Sequence, residues 1–245
     1  MKRYPIIVVI TIFFVSCKKQ VDTFSPPSPN IYFPLNSGQF INYDLDSTIY
    51  INFGQKDTLI HYQAQDRTDS SFTDNLGRKS YRIVRYLRKN ISDDWKPDNT
   101  FYVTPTETGI ELVENNMRFQ KLKLPIVNGF SWKGNSYIDT YSLNSDYKYL
   151  DDWDYIYDSV GVPLKLGNIV VDSTLKVLQR DEFLGQDPKL SSTLYAEKNY
   201  GVEKYGKNIG LIYKELLHWE YQGSQPGRMS YFTGYGIKLT MTGHN

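Results

Sequence analysis

"GLIYKELLHWEYQG", residues 210–223, decides the fold. Leu211, Tyr213, Glu215, Leu217, Trp219 and Tyr221 fall on one side of an extended chain. Ile212, Lys214, Leu216, His218, Glu220 and Gln222 fall on the other. A period of two over this length, rich in aromatic residues and closed by Gly at both ends, is the pattern of a strand. The same rhythm recurs outward from it. "GYGIKLTMTG" (234–243) reads as the last strand, with "GYG" as the turn into it, and "NIVVDSTLKVLQRD" (168–181) as an earlier one. "QFINYDL" (39–45), "STIYINFG" (47–54) and "DTLIHYQAQDRTDS" (57–70) alternate near the start. In 72–90 a turn at Asp74-Asn75-Leu76-Gly77 leads into a strand with Tyr81, Ile83, Arg85 and Leu87 on one side. Arg82, Val84, Tyr86 and Arg88 take the other side, their long stems covering a solvated face. "TFYVTPT" (100–106), "GIELVEN" (109–115), "MRFQKLKLPI" (117–126) and "SYIDTYSL" (136–143) follow, with "VENN" (113–116) as a hairpin turn.

Strand after strand without a βαβ rhythm predicts an all-β fold built on a single antiparallel sheet. About ten strands must curl strongly to bury a face, as a half-barrel or a sandwich. The stretch 192–206 alone could be helical, and its two glycines allow a short helix at most. Composition agrees. The 245 residues include 21 Tyr, 12 Phe and 4 Trp, which suit pleated, half-buried surfaces. A net charge of +1 lacks the basic excess needed to track phosphates, which argues against a nucleic-acid partner.

Met1-Lys2-Arg3, the apolar run "IIVVITIFFV" (6–15) and Ser16 are the parts of a secretory signal peptide. Ten apolar residues span about 15 Å as a helix, half a hydrocarbon core, so a permanent membrane span is disfavoured. The single cysteine follows at once. Phe14-Val15-Ser16-Cys17 resembles a bacterial lipobox, with Phe where Leu is usual. That resemblance implies that Cys17 carries a diacylglycerol thioether, becomes the new N-terminus and is acylated on its amine. Several chains give stable anchoring where one gives marginal binding. Losing Lys2 and Arg3 with the leader takes the net charge from +1 to −1, so the lipid and not charge must hold the membrane. Residues 18–30 are polar, and Pro26, Pro27 and Pro29 make an extended tether. The expected organisation is a signal peptide over 1–16, a lipidated Cys and tether over 17–30, and one β-rich domain over 31–245.

"YFPLNSGQFINYDLDS" (32–47) resembles the opening of uncharacterised Gram-negative envelope lipoproteins, written FPL-x-x-G-x-x-W-x-Y; Gly38 and Tyr43 match, and Phe40-Ile41 stands where Trp is usual. "DNLGRKSYRIVRYLR", "ENNMRFQKLKLPI" and "YGKNIGLIYKELLHWEYQ" are similar to further segments of that group. The resemblance implies a lipid anchor and a curved β-rich fold, and it transfers no catalytic residue. Lys18 and Lys19, in place of Asp after the cysteine, imply sorting to the outer membrane.

Chemistry is sparse. His61, His218 and His244 form no HExxH or other close ligand pair, so no metal site or cofactor is expected. There is no G-x-S-x-G elbow and no P-loop; Ser131 in "GFSWKG" reads as a turn before a core Trp. "DYKYLDDWDYIYD" (146–158) interleaves acids with aromatics. Asp151, Asp152, Trp153, Asp154 and Tyr155 are the candidate ligand residues. Clustered carboxylates suit Ca²⁺, although the Gly and Glu of an EF-hand loop are missing. Aromatic faces beside carboxylates suit a sugar. The plainer reading is an amphipathic strand or loop, aromatics packed and acids in water.

Three functions compete. One is a non-enzymatic, lipid-anchored protein that binds an envelope partner. Another is a binder of an apolar or glycan ligand inside the sheet. The third is a hydrolase with dispersed carboxylates. A filled core with an exposed apolar patch favours the first, an open apolar cavity the second, and converging carboxylates with shifted pKa the third.

Overall fold

A computed structural model describes residues 28–245. The leader, Cys17 and all but the end of the tether lie outside the described residues. The chain forms β1 (Phe40–Ile51), β2 (Lys56–Thr73), β3 (Lys79–Arg88), β4 (Lys96–Pro105), β5 (Gly109–Glu114) and β6 (Met117–Lys123). β7 (Ser131–Lys133), β8 (Asp154–Leu166), β9 (Ile169–Gly185), β10 (Tyr195–Gly206), β11 (Gly210–Gln222) and β12 (Tyr231–His244) complete it. All twelve belong to one antiparallel sheet, in the order β6-β5-β4-β3-β2-β1-β12-β11-β10-β9-β8-β7. Two meanders therefore run outward from the central pairing of the first strand with the last, where Leu45 faces Leu239.

The sheet rolls until its edges almost meet. Gln120 of β6 donates its backbone N–H to the Gly134 carbonyl just past β7, at 2.8 Å. The Trp132 indole donates back to the Gln120 carbonyl at 2.7 Å. Rolling answers the need to bury one face of so wide a sheet. It also protects both edges from pairing with other chains. Inward residues fill the roll. One cluster gathers Phe101, Ile110, Leu122, Trp132, Trp153, Tyr155, Tyr157 and Val177. The other gathers Ile41, Tyr43, Leu45, Ala64, Ile212 and Leu239.

One end is stoppered by the chain's own start. A 3-10 turn at Pro29–Ile31 sends Tyr32 and Phe33 into the core, and Asn208 donates its N–H to the Ile31 carbonyl at 2.6 Å. Pro29 is already buried in this turn. β1 leads from this stoppered end to the opposite rim, twelve residues or about 40 Å of extended chain.

Several elements differ from the sequence expectation. The stretch 192–206 holds β10, hydrogen-bonded to β9 on one side and β11 on the other; two ladders outweigh a weak local helix preference. Among the described residues the two short helices are single 3-10 turns, the second at Lys148–Leu150. Residues 136–143 form turns and not a strand. The strand of that region is β7, which places Trp132 in the core as "GFSWKG" suggested. The expected strands at 39–45 and 47–54 are one, β1, which stops at Ile51 because Asn52 and Phe53 turn left-handed (φ 52° and 57°). "GYG" lies within β12. The "VENN" turn is as expected, with Asn115 and Asn116 at φ 51° and 62°, the pattern of a type I′ hairpin.

Candidate functional site

The acidic–aromatic segment splits across the sheet. Trp153 and Tyr155 are 2% and 1% exposed, so neither ring offers a face to a ligand. The Trp153 indole donates to the Tyr149 carbonyl at 2.6 Å, and the Tyr155 hydroxyl to Asn135 at 2.9 Å. Gly201 makes room for the indole, since a Cβ there would lie 2.8 Å from it. The carboxylates face away. Asp152 and Asp154 bind the Lys133 ammonium at 2.9 and 3.1 Å, and Asp151 accepts from Thr140 at 2.8 Å. The hydrogen bond and charge of Lys133 hold the Asp152 carboxyl below its usual range. Asp151, Asp152 and Trp153 line one open pocket of about 240 Å³ with Thr140 and Tyr141, while Asp154 and Tyr155 lie outside it, so the five residues do not form a single site. Among the described residues, no three His, Cys, Asp or Glu side chains gather to hold a metal.

The roll's interior carries an ionic group that the sequence reading missed. Arg85 of β3 binds Asp66 of β2 through two bonds of 2.7 and 2.6 Å, and its guanidinium lies 4.8 Å from the Phe101 ring centroid. Lys121 of β6 reaches Glu203 of β10 at 2.7 Å. Lys214 of β11 approaches Glu114 of β5 at 3.4 Å. The Tyr205 hydroxyl donates to Glu203 at 2.6 Å, and the Tyr43 hydroxyl to the Leu211 carbonyl at 2.8 Å. Three cations meet three carboxylates. Burial alone would raise the Glu203 carboxyl, yet Lys121 and then Lys214 hold it below the glutamate range. Burial likewise opposes the charge on Glu114, and Lys214 with Arg85 overcomes it. Burial disfavours the Lys214 ammonium, and Glu114 with Glu203 raises it above the lysine range. Glu114 and Glu203 are thereby fixed in their charged forms, with no proton to give at neutral pH. The space among these groups is about 70 Å³, room for a few waters and far below a ligand pocket.

His218 lies on the same inner face. Its Nδ1 is 2.8 Å from Asn199, and its ring stacks on Tyr149 at 3.9 Å. Burial lowers its pKa, so it is a neutral packing residue. His61 pairs with Asp46 on the outer surface, and His244 lies at the exposed C-terminus.

The rim opposite the stopper is built differently. Phe183, Trp219, Phe232 and Tyr50 run across the outer wall from β9 to β1, with centroid spacings of 5.7, 5.4 and 5.5 Å. Tyr221 joins Phe232 at 4.8 Å. The β1–β2 turn and the β11–β12 loop stand above them and enclose an open groove of about 800 Å³. Tyr50, Phe53, Tyr231 and Phe232 wall it, and Phe53 is 97% exposed. Gly54 lets the two loops touch: its carbonyl accepts the Phe232 N–H at 2.8 Å, and a Cβ there would lie 2.1 Å from the Phe232 oxygen. Burial, then Asp57 across the ladder, pushes the Tyr50 hydroxyl up to about 12. No pattern in the sequence marks this groove, because its parts lie about 180 residues apart.

Fold and site together define a rolled all-β protein with a closed ionic interior and an aromatic rim. No family model and no curated protein matches the chain. Among solved structures it is similar to a candidate lipoprotein from Parabacteroides distasonis, at 15% identity over 88% of this chain and 98% of that one, with a TM-score of 0.30. It is also similar to a DUF1329 family protein from Desulfovibrio piger, at 12% identity over 90% and 93%, with a TM-score of 0.19.

Proposed function

We propose that the protein is a lipid-anchored component of the cell envelope, held by Cys17 in the outer membrane, with a non-catalytic binding role served by its aromatic rim. The observation that carries this reading is the contrast between the two apolar regions. The interior is filled, its charges paired one to one. The rim leaves large aromatic and apolar side chains in water, among them Phe53, Leu190, Leu194 and Met229 at 97, 85, 75 and 67% exposure. The loops that carry them adjoin: Lys189 lies 4.0 Å from Asp57, and Gly223 bonds to the Leu194 carbonyl. Contiguous exposure of this kind marks a binding surface.

The lipobox context of Cys17 and the polar, Pro-rich stretch over 18–30 support the anchor. Cys17→Ser should move the protein from the membrane to the soluble fraction and abolish incorporation of labelled fatty acid. Unchanged fractionation without label in the native chain would refute the lipid anchor. Capture of envelope material by the lipidated chain should depend on the rim and survive changes at Asp151 and Asp154.

A further inference from the structure

The rim groove has a charge pattern that names its occupant. Of its lining residues Tyr50, Phe53, Gln55, Arg228, Met229, Tyr231, Phe232 and Thr233, with three glycines, Arg228 alone is charged. Its guanidinium lies 4.4 Å from the Tyr231 ring centroid and donates one bond to the Tyr231 hydroxyl at 2.6 Å. That leaves donors over for a ligand, since a guanidinium has five. No carboxylate among the described residues pairs with it. Asp57, opposite Tyr50 on β2, lies 4.0 Å from the Lys189 ammonium. A cation without a partner in an aromatic groove is complementary to an anion whose remainder is apolar on its faces.

We infer that this groove binds an acidic glycan, a chain of pyranose rings bearing carboxylates; the inference rests on the proposed role of the rim. The C–H groups on a pyranose face meet the negative π-faces of Phe53, Tyr231 and Phe232. Gln55 and Thr233 stand at the groove to bond ring hydroxyls, and Arg228 takes the carboxylate in a charge-assisted pair. The groove's volume lies within the range of small-ligand sites and accommodates two or three sugar rings. Its position fits as well. The described chain starts at the stoppered end and the groove lies at the other end of β1, so the groove is at the end of the body far from that start. A lipid surface is the poorer occupant of the groove, because Arg228 is the single cation in its lining.

The test is calorimetric titration of the full chain in detergent with trigalacturonate and a hyaluronan tetrasaccharide, against maltotriose as the neutral probe. The acidic oligosaccharides should bind saturably and at least fivefold more tightly than maltotriose. Arg228→Gln should weaken acidic binding about tenfold and leave maltotriose unchanged. Phe53→Ala should weaken all three; both side chains are exposed, so the melting temperature should not move. Absence of saturable acidic binding up to about 10 mM, equal binding of acidic and neutral probes, or an Arg228→Gln protein that binds normally would each overturn the inference. Failure here with rim-dependent capture of envelope protein intact would overturn the glycan and spare the binding role. Loss of that capture's dependence on the rim would overturn the role itself.

Discussion

At the scale of residues, the inner ions set how the fold responds to pH. Glu203 is 2% exposed and Lys121 5%, so each is tolerable only with the other. Removing one partner of a buried pair typically costs about 3–5 kcal/mol, because a charge is left in low dielectric. The folded pKa of Glu203 lies below its unfolded value near 4.5. Its contribution is therefore complete above pH 4.5 and is lost as pH falls through the folded value. Glu114 acts with the same sign. Lys214 acts with the opposite one: its folded pKa lies above 10.5, so its contribution is present below that and lost as pH rises through the folded value. Urea unfolding between pH 3 and pH 8 should show a steep acid limb in the native chain. Glu203→Gln should be less stable at pH 7 by about 3–5 kcal/mol and have a shallower acid limb. An unchanged limb would show that Glu203 does not carry this dependence.

At the scale of elements, the stopper is the part most open to test. Phe33 packs on Tyr205 at 5.9 Å between centroids and lines the small interior space with Pro34 and Ile209. Large-to-small changes of a buried Phe cost about 3–5 kcal/mol. Phe33→Ala should lower stability by that order and speed hydrogen exchange at the Asn208 amide, which the Ile31 carbonyl now holds. Full protection at Asn208 would mean the stopper is not fixed by its aromatics. The strands were legible because period two survives in sequence whatever the partner, as in β9, β11 and β12. The stopper was not, since "PNIYF" carries no period at all. The interior ions were half legible. Arg85 stands among Tyr81, Ile83 and Leu87, and Lys214 among Ile212, Leu216 and His218, each a charge on an apolar face. Asp66 faces Arg85 from the neighbouring strand, whereas Glu114 lies 100 residues from Lys214, a pairing that becomes visible only when the roll closes. In the candidate segment 146–158 Trp153, Tyr155 and Tyr157 are core, while Tyr147 is exposed. The groove depends on Phe53 leaving the strand rhythm through a left-handed turn, which alternation alone assigned to the strand face.

At the scale of the whole molecule, the central ladder between β1 and β12 decides how the protein unfolds. Each flanking meander is local, β1 to β6 and β7 to β12; the strand ladder that joins them runs where Ile41 through Ile49 meets Tyr235 through His244, with single backbone bonds such as Gln120 to Gly134 and Phe232 to Gly54 beside it. Two of the three ionic pairs cross the same divide, Lys121 of the first meander binding Glu203 of the second and Lys214 of the second approaching Glu114 of the first. Neither meander buries its face alone, because each supplies half of the roll's wall. The molecule should therefore unfold in one transition. Urea curves read by far-ultraviolet circular dichroism, which averages all strands, and by tryptophan fluorescence should coincide. The four tryptophans sample both halves: Trp95 lies between β3 and β4, and Trp132, Trp153 and Trp219 lie in β7, before β8 and in β11. A chain ending at Ser230 lacks β12, so β1 and β11 each lose their neighbour and Leu45 loses Leu239. Such a chain should show no cooperative transition by either probe. If it kept half the native strand signal and melted on its own, the meanders would be independent folding units and the ladder a mere contact between them.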